Sequence, residues 1–397
     1  MTIQAPTNAT VFQRLWLPGF LLQSVMIGGG YATGRELVEF FLSVGPLGGL
    51  LGMLVATLVF SIIAVLCFEL ARLTQSYSYR HFFRQLLGRA WFVYELAYFS
   101  LGLLVLAVIG AAAGELVSEH LSLKSTLGTT ALMMLIGFLV FWGTTIIEKV
   151  LAGWSFILYV TYAMFVACYL WRYGGDLTGN FTQLHAAADS EHWFIKGFQY
   201  AGYNIAAIPI ILFCVKHMGT RRDAVTAGVL AGPLAMLPAM IFFLAMAATY
   251  PDILQSTVPA DFMMQRLDLP WLKLIFYVVV FGTFVETGTA YIHAINERID
   301  EVYTEKQRSM PLWLRPLVAV LALLVSIVLA GKIGLIDLIA SGYGTLTWVF
   351  MLVFIAPLLT IGLFRLCKKN ALINSDDPNS ARDMSDTQQT IQVGVNK

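Results

Sequence analysis

Three consecutive glycines, Gly28, Gly29 and Gly30, with Gly34 just beyond, interrupt an otherwise membrane-length apolar run, and Arg35, Glu36 and Glu39 follow at once. The bilayer core holds no water for freed backbone groups. A break at that depth must therefore line a polar cavity or bind a solute. Freed amides at the start of the second half-helix, around Gly30, Tyr31 and Thr33, suit a carboxylate. Freed carbonyls at the end of the first half, near Met26, Ile27 and Gly28, suit an ammonium or another cation. A second cluster lies in the apolar run 276–291, where Thr283, Glu286, Thr287 and Thr289 stand together. Spacings of three and four put Thr283, Glu286 and Thr287 on one helical face. A carboxylate at that depth is costly and is expected to face the interior. It can neutralise a sodium ion or take up a proton itself; the competing account is a Glu that hydrogen-bonds the unwound backbone and never titrates.

The elements that must carry these groups are membrane helices. Of 397 residues, 58% are hydrophobic and 12% charged, against about 25% charged in a soluble domain, and mean hydropathy is +0.73. A net charge of +1 gives no case for nucleic acid. The cysteines Cys67, Cys168, Cys214 and Cys367 have no metal-ligand spacing. No nucleophile elbow, zinc-protease motif or phosphate loop is present, so no enzyme is expected, and no cofactor. The first apolar run lacks a small-residue cleavage site and is read as a retained helix.

About 20 apolar residues cross the hydrocarbon layer. That length gives ten spans, near 15–42, 46–71, 91–118, 128–147, 150–172, 193–215, 224–249, 271–297, 313–331 and 336–366. Lys and Arg gather in alternate loops: Arg72, Arg80, Arg84 and Arg89; Lys149; Lys216, Arg221 and Arg222; Arg298, Lys306, Arg308 and Arg315; Arg365, Lys368 and Lys369. The opposite loops hold Lys124, Arg172, Arg266 and Lys332, with the acids Asp176, Asp189, Glu191, Asp252 and Asp261. The positive-inside rule then puts both termini in the cytoplasm and makes the chain a multi-pass protein of the inner membrane. Between Pro251 and Pro270 a lid helix and a plain loop are equally open. Residues 77–90 are expected along the membrane surface.

The sixth span is also weakened mid-way, by Gly197, Gly202, Asn204 and Pro209, beside Gln199, Tyr200 and Tyr203. Two interrupted helices five spans apart start on opposite sides of the membrane. The expected fold is thus an all-α bundle of ten transmembrane helices in a five-plus-five inverted repeat, with helices one and six discontinuous. The divisions are a cytoplasmic start (1–14), a first repeat (15–172), a connection (173–192), a second repeat (193–366) and a disordered tail (367–397). The competing account of each glycine cluster is close helix packing.

The stretches Met26-Ile27-Gly28-Gly29-Gly30-Tyr31-Ala32-Thr33-Gly34-Arg35-Glu36 and Glu286-Thr287-Gly288-Thr289-Ala290-Tyr291-Ile292-His293-Ala294-Ile295-Asn296-Glu297-Arg298 resemble signatures of the YkvI-like amino acid permeases. That family is similar to the amino acid, polyamine and organocation transporters of LeuT-like fold. The resemblance runs to about Lys369, although the interval from Gly30 to Gly34 is one residue shorter than usual. It implies that glycine amides of span one grip an amino acid carboxylate. It further implies that hydroxyls of span eight, matched by Thr283 and Thr287, and carbonyls of span one, near Met26 and Ile27, form a sodium site. Proton-coupled relatives can place a lysine midway along span five, and none stands between Gly153 and Tyr169. Sodium, or a proton on Glu286, is the coupling left.

The expected binding set is Gly28, Gly29, Gly30, Tyr31, Thr33, Tyr98, Tyr200, Gly202, Tyr203 and Asn204, with Tyr343 a further wall candidate. Met26, Ile27, Thr283, Glu286 and Thr287 form the coupling set. Arg35, Glu36 and Asp337 form a gate in which Asp337 is a conceivable partner of Arg35. His293 reads as a helix-end group and Glu95 and Glu115 as solvent-exposed. Together these describe a secondary transporter of an amino acid or similar small zwitterion, monomeric or homodimeric in the bilayer. The alternative is a ligand sensor on the same fold.

Overall fold

The computed structural model describes residues 9–142, 145–182 and 192–368. The expectations for residues 1–8, for Asp189 and Glu191, for the Lys149 side chain and for the tail beyond Lys368 lie outside them. Among the described residues every regular element is helical. A π turn, Phe12–Trp16, leads into α1 (Leu17–Met26), followed by α2 (Gly29–Ala32) and α3 (Arg35–Phe40). Then come α4 (Pro46–Thr74), α5 (Tyr79–Leu87), α6 (Trp91–Leu121), α7 (Ser125–Trp142), α8 (Thr145–Tyr173) and α9 (Leu177–Thr182). The second half holds α10 (Trp193–Asn204), α11 (Arg221–Ala247), α12 (Pro259–Leu267), α13 (Pro270–Glu305), α14 (Leu314–Ile333) and α15 (Leu335–Lys368).

Eight helices among the described residues are long and apolar enough to cross a membrane. The first segment falls outside that set because its pieces are short, the longest being the 10 residues of α1. The apolar part of α7 is also short, Ser125–Phe141. Large apolar side chains cover the outer surface: Leu58 is 62% exposed, Phe156 72% and Leu352 74%. Such a surface is tolerable only where hydrocarbon replaces water.

Local chemistry sets the helix ends. Gly45, at φ 84°, turns the chain into Pro46 at the first helical position of α4. Thr220 and Asp223 cap α11 reciprocally, at 3.1 and 3.2 Å. Small residues then allow close approach. A Cβ on Gly228 of α11 would meet the Val65 amide of α4 at 2.5 Å, so α11 lies directly on α4.

Two groups of helices result. The pieces α1, α4, α10 and α11 pack on one another, and α6, α7, α13 and α14 pack on one another. The first group belongs to helices one, two, six and seven of the sequence and the second to helices three, four, eight and nine. Arg14 pairs with Asp223 at the start of α11, and Arg365 donates to the Gln85 carbonyl after α4. The start of α1 and the end of α15 therefore share one side, the terminal side below.

Two loop expectations resolve. The 251–270 connection contains α12, and the Ala260 amide donates to the Thr33 carbonyl at 2.9 Å. The lid is a helix tied to the first break. The helix α5 does not lie free along a lipid surface. Its apolar face covers protein: Phe83 stacks on Tyr94 at 3.5 Å, and Phe82 meets Phe354.

Candidate functional site

Two glycines break span one, one on each side of α2. Gly28 takes an extended conformation, φ −112° and ψ −170°. Its amide turns back to the Met26 carbonyl at 2.9 Å, so Ser24 loses the donor a continuous helix would supply. Gly34, at φ 75°, is left-handed and starts α3 in a new direction. A side chain at Gly34 would be strained and would press on Phe242 at 3.3 Å.

A cavity of about 350 Å³ opens at this break. From one helical group it is walled by Met26, Ile27, Gly28, Gly30, Tyr31, Glu36, Tyr203 and Asn204. From the other it takes Tyr98, Leu101, Glu286, Thr287 and Tyr291, with Tyr343 of α15. Its deep end is buried around Glu36, Tyr203 and Tyr343. The cavity also reaches Ser24 and Val25 near the end of α1, which are exposed.

The structure sorts the expected binding residues. Gly28, Gly30, Tyr31, Tyr98, Tyr203 and Asn204 line the cavity, and Gly29 lies between two lining residues. Thr33 does not line it: its hydroxyl donates to the Gly30 carbonyl at 2.7 Å and accepts from the Arg35 amide at 3.2 Å, which braces the αL turn. Tyr200 is buried among Phe40, Phe41 and Phe60 instead. Gly202 faces Thr347 of α15, whose hydroxyl donates to the Gln199 carbonyl at 2.7 Å. Of the coupling set, Met26, Ile27, Glu286 and Thr287 line the cavity, and a Cβ on Gly28 would stand 3.5 Å from the Thr287 side chain. Thr283 sits a turn away, fully buried, its hydroxyl bonded to the Val279 carbonyl at 2.8 Å.

The gate expectation needs correction. Arg35 does not meet Asp337, which is exposed. The Arg35 guanidinium donates to the Leu254 and Ser256 carbonyls, at 3.3 and 3.0 Å, and to Glu39 at 3.3 Å. These bonds fasten the far end of span one to the α11–α12 connection. Glu36 belongs to the cavity itself: only 6% exposed, it accepts from the Tyr203 hydroxyl at 2.7 Å. Glu95 is not solvated either. It pairs with Arg298 at 2.9 Å, and the Arg298 guanidinium stacks over Tyr98 at 3.7 Å and Tyr79 at 3.9 Å. His293 is exposed.

On the far side several bonds seal the site. Tyr162 of α8 donates to the Ala32 carbonyl, Lys196 pairs with Glu39 at 2.8 Å, and Asp261 of α12 binds His120 at 3.0 Å and Tyr277. Arg266, outside the bundle on α12, is held above its ordinary pKa by its hydrogen bond to Asp252. Sequence reasoning missed the cavity role of Glu36 and Tyr291. Tyr291 had a signal: it lies five residues beyond Glu286 in the same motif. Glu36 had none, since its direction depends on the turn at Gly34.

No family model matches the chain. It is 22% identical over 366 residues to the uncharacterized membrane protein YkvI of Bacillus subtilis, covering 88% of this chain and 94% of that one. Among solved structures it is similar to a manganese transporter of Eremococcus coleocola. A mutant of that protein superposes with a TM-score of 0.51 at 13% identity, covering 100% of this chain and 94% of the other. The same transporter in complex with an aromatic bis-isothiourea substituted compound gives 0.52, again at 13% identity, with 99% and 94% covered. At such identity the likeness shows the fold. The chain is therefore a multi-pass helical membrane protein with a LeuT-like fold, shared over nearly its whole length with those transporters; of the two spans expected to be discontinuous the first is, whereas the sixth passes from α10 into a 3-10 helix at Ile205 without leaving helical geometry.

Proposed function

We propose that this chain is a secondary active transporter of an amino acid or similar small zwitterion, working by alternating access. One observation carries the reading. The cavity lies at the break of span one and draws its walls from both helical groups. Movement of one group against the other would then open it to either side in turn. With both termini taken as cytoplasmic in the inner membrane, α12 and Arg35 would lie across the outward side of the site. Freed backbone and Asn204 supply polar contacts, and the tyrosines supply apolar walls.

Coupling falls to Glu286 and Thr287, which line the cavity beside Gly28; sodium or a proton fits there. Glu286→Gln is expected to cut gradient-driven uptake into proteoliposomes at least tenfold while leaving substrate affinity within about threefold. Equal uptake by variant and parent under imposed sodium and proton gradients would remove Glu286 from the coupling role. A second reading, manganese transport, is favoured by the solved neighbours. Its support within the chain is the donor set Glu36, Glu286, Asn204 and Met26, of which the carboxylates suit manganese. Uptake of labelled amino acids against uptake of manganese separates the two. Binding with no gradient-dependent accumulation of either would instead favour a sensor.

A further inference from the structure

We infer that Glu36 is the substrate-selecting group of the cavity and that it receives the ammonium of an organic amine. The inference rests on the cavity's being a solute site, as proposed above.

Glu36 and Glu286 both line the cavity, and among the described residues no Lys, Arg or His lines it. Two cations do stand near the same helix, but both serve another acid. Arg35 and Lys196 pair with Glu39, at 3.3 and 2.8 Å. The Arg35 Nη1 donates to the Leu254 and Ser256 carbonyls, and among the described residues no bond runs from its guanidinium to Glu36. Glu36, one turn away and more buried, has the neutral Tyr203 hydroxyl on Oε2. Its Oε1 lies against Gly30, where a Cβ would overlap it. A buried carboxylate without a cation is costly, so the site is built for a positive group brought from outside.

Size and wall chemistry choose the kind of cation. The cavity, about 350 Å³, is in the range of small-molecule sites, roughly 300–1,000 Å³, and far exceeds one metal ion. Among the described residues no three His, Cys, Asp or Glu side chains converge as a metal group. The walls around Glu36 are aromatic: Tyr203 stacks on Tyr343 at 4.4 Å, and Tyr98 and Tyr291 pack at 6.4 Å. Such rings attract ammonium groups through their faces. A second acid on the solute would add a carboxylate to a cavity that Glu36 already makes acidic, and is disfavoured. The selected class is thus neutral amino acids and amines, and acidic amino acids are excluded.

The test is a thermal-shift and binding series on the purified full chain in detergent. The probes are the twenty protein amino acids, the amines left by their decarboxylation, the acids left by their deamination, choline, spermidine and manganese chloride. Compounds bearing an ammonium are expected to raise the melting temperature, and a decarboxylated amine to keep at least a tenth of its parent's affinity. Deaminated acids, aspartate and glutamate are expected to give no shift. Glu36→Gln is expected to weaken amine binding a hundredfold or more without lowering the melting temperature of the unliganded protein. Should that variant fail to fold, Glu36→Asp is expected to bind about tenfold more weakly than the parent. Deaminated acids binding as well as their parents would overturn the inference. So would normal amine binding in the Glu36 variants, the absence of any amine response at millimolar concentration, or a Glu36-dependent shift from manganese alone. Amine binding retained with no uptake would sink the transport reading and leave this one standing.

Discussion

The two glycine-bearing spans expected to be interrupted use glycine for different ends. In span one the chain leaves helical geometry twice, at the extended Gly28 and the left-handed Gly34. In span six it never does: α10 passes at Ile205 into a 3-10 helix that runs to His217 with Pro209 inside it. Pro209 supplies no amide, and the tighter i→i+3 pattern keeps the remaining bonds. The glycines follow suit. Gly30 makes room for the Glu36 carboxylate, whereas Gly197 lies on the Gly52 backbone of α4 and Gly202 on Thr347. One cluster shapes a site, and the other lets helices touch. Matched positions in a repeat therefore share a location but not a mechanism.

Substitutions can break this contrast. The largest effect is expected from Gly30→Ala. Its methyl would occupy the space of Glu36 Oε1, the mobile end of a side chain, so the carboxylate moves and the fold does not. Amine binding should fall a hundredfold or more, with the melting temperature little changed; preserved affinity would mean that the first break holds no site. Gly197→Ala should do the reverse. The Gly52 backbone cannot yield, and overpacking of this kind costs about 1–3 kcal/mol. A clear loss of thermal stability is expected, with affinity per folded molecule within twofold. Loss of affinity at unchanged stability would make span six a binding element after all.

A smaller effect is expected from Gly202→Ala, which crowds the Thr347 side chain. Adding Thr347→Ser removes the offending methyl and keeps the hydroxyl. Stability should return in the double variant, a coupling of about 0.5–3 kcal/mol; strict additivity would show that the two residues do not meet. Smallest of all is Gly28→Ala. Its backbone is one that any residue adopts, and a Cβ would sit 3.5 Å from Thr287, in ordinary contact. Affinity within twofold of the parent is expected, and a large loss would place substrate closer to Gly28 than the cavity walls suggest.

Much of this was legible before any coordinates. A glycine triplet inside an apolar run marks a break because lipid cannot satisfy the freed groups. A lone Glu286 among apolar residues marks an inward-facing carboxylate for the same reason. What escaped was direction. Tyr200 and Tyr203 are three residues apart in one helix, yet Tyr200 joins the phenylalanines and Tyr203 meets Glu36. Glu95 and Arg298 lie 203 positions apart, and no local pattern links them.

The amino-acid order alone determined that the chain is a helical membrane protein, where its helices run and where the first one fails, because hydrophobicity and backbone satisfaction act on neighbouring residues. Only the folded arrangement decided which acid enters the cavity. The left-handed turn at Gly34 aims Glu36 inward, and the cations at 35 and 196 are drawn to Glu39 instead. Charge pairing acts across space, between elements whose meeting no stretch of sequence records.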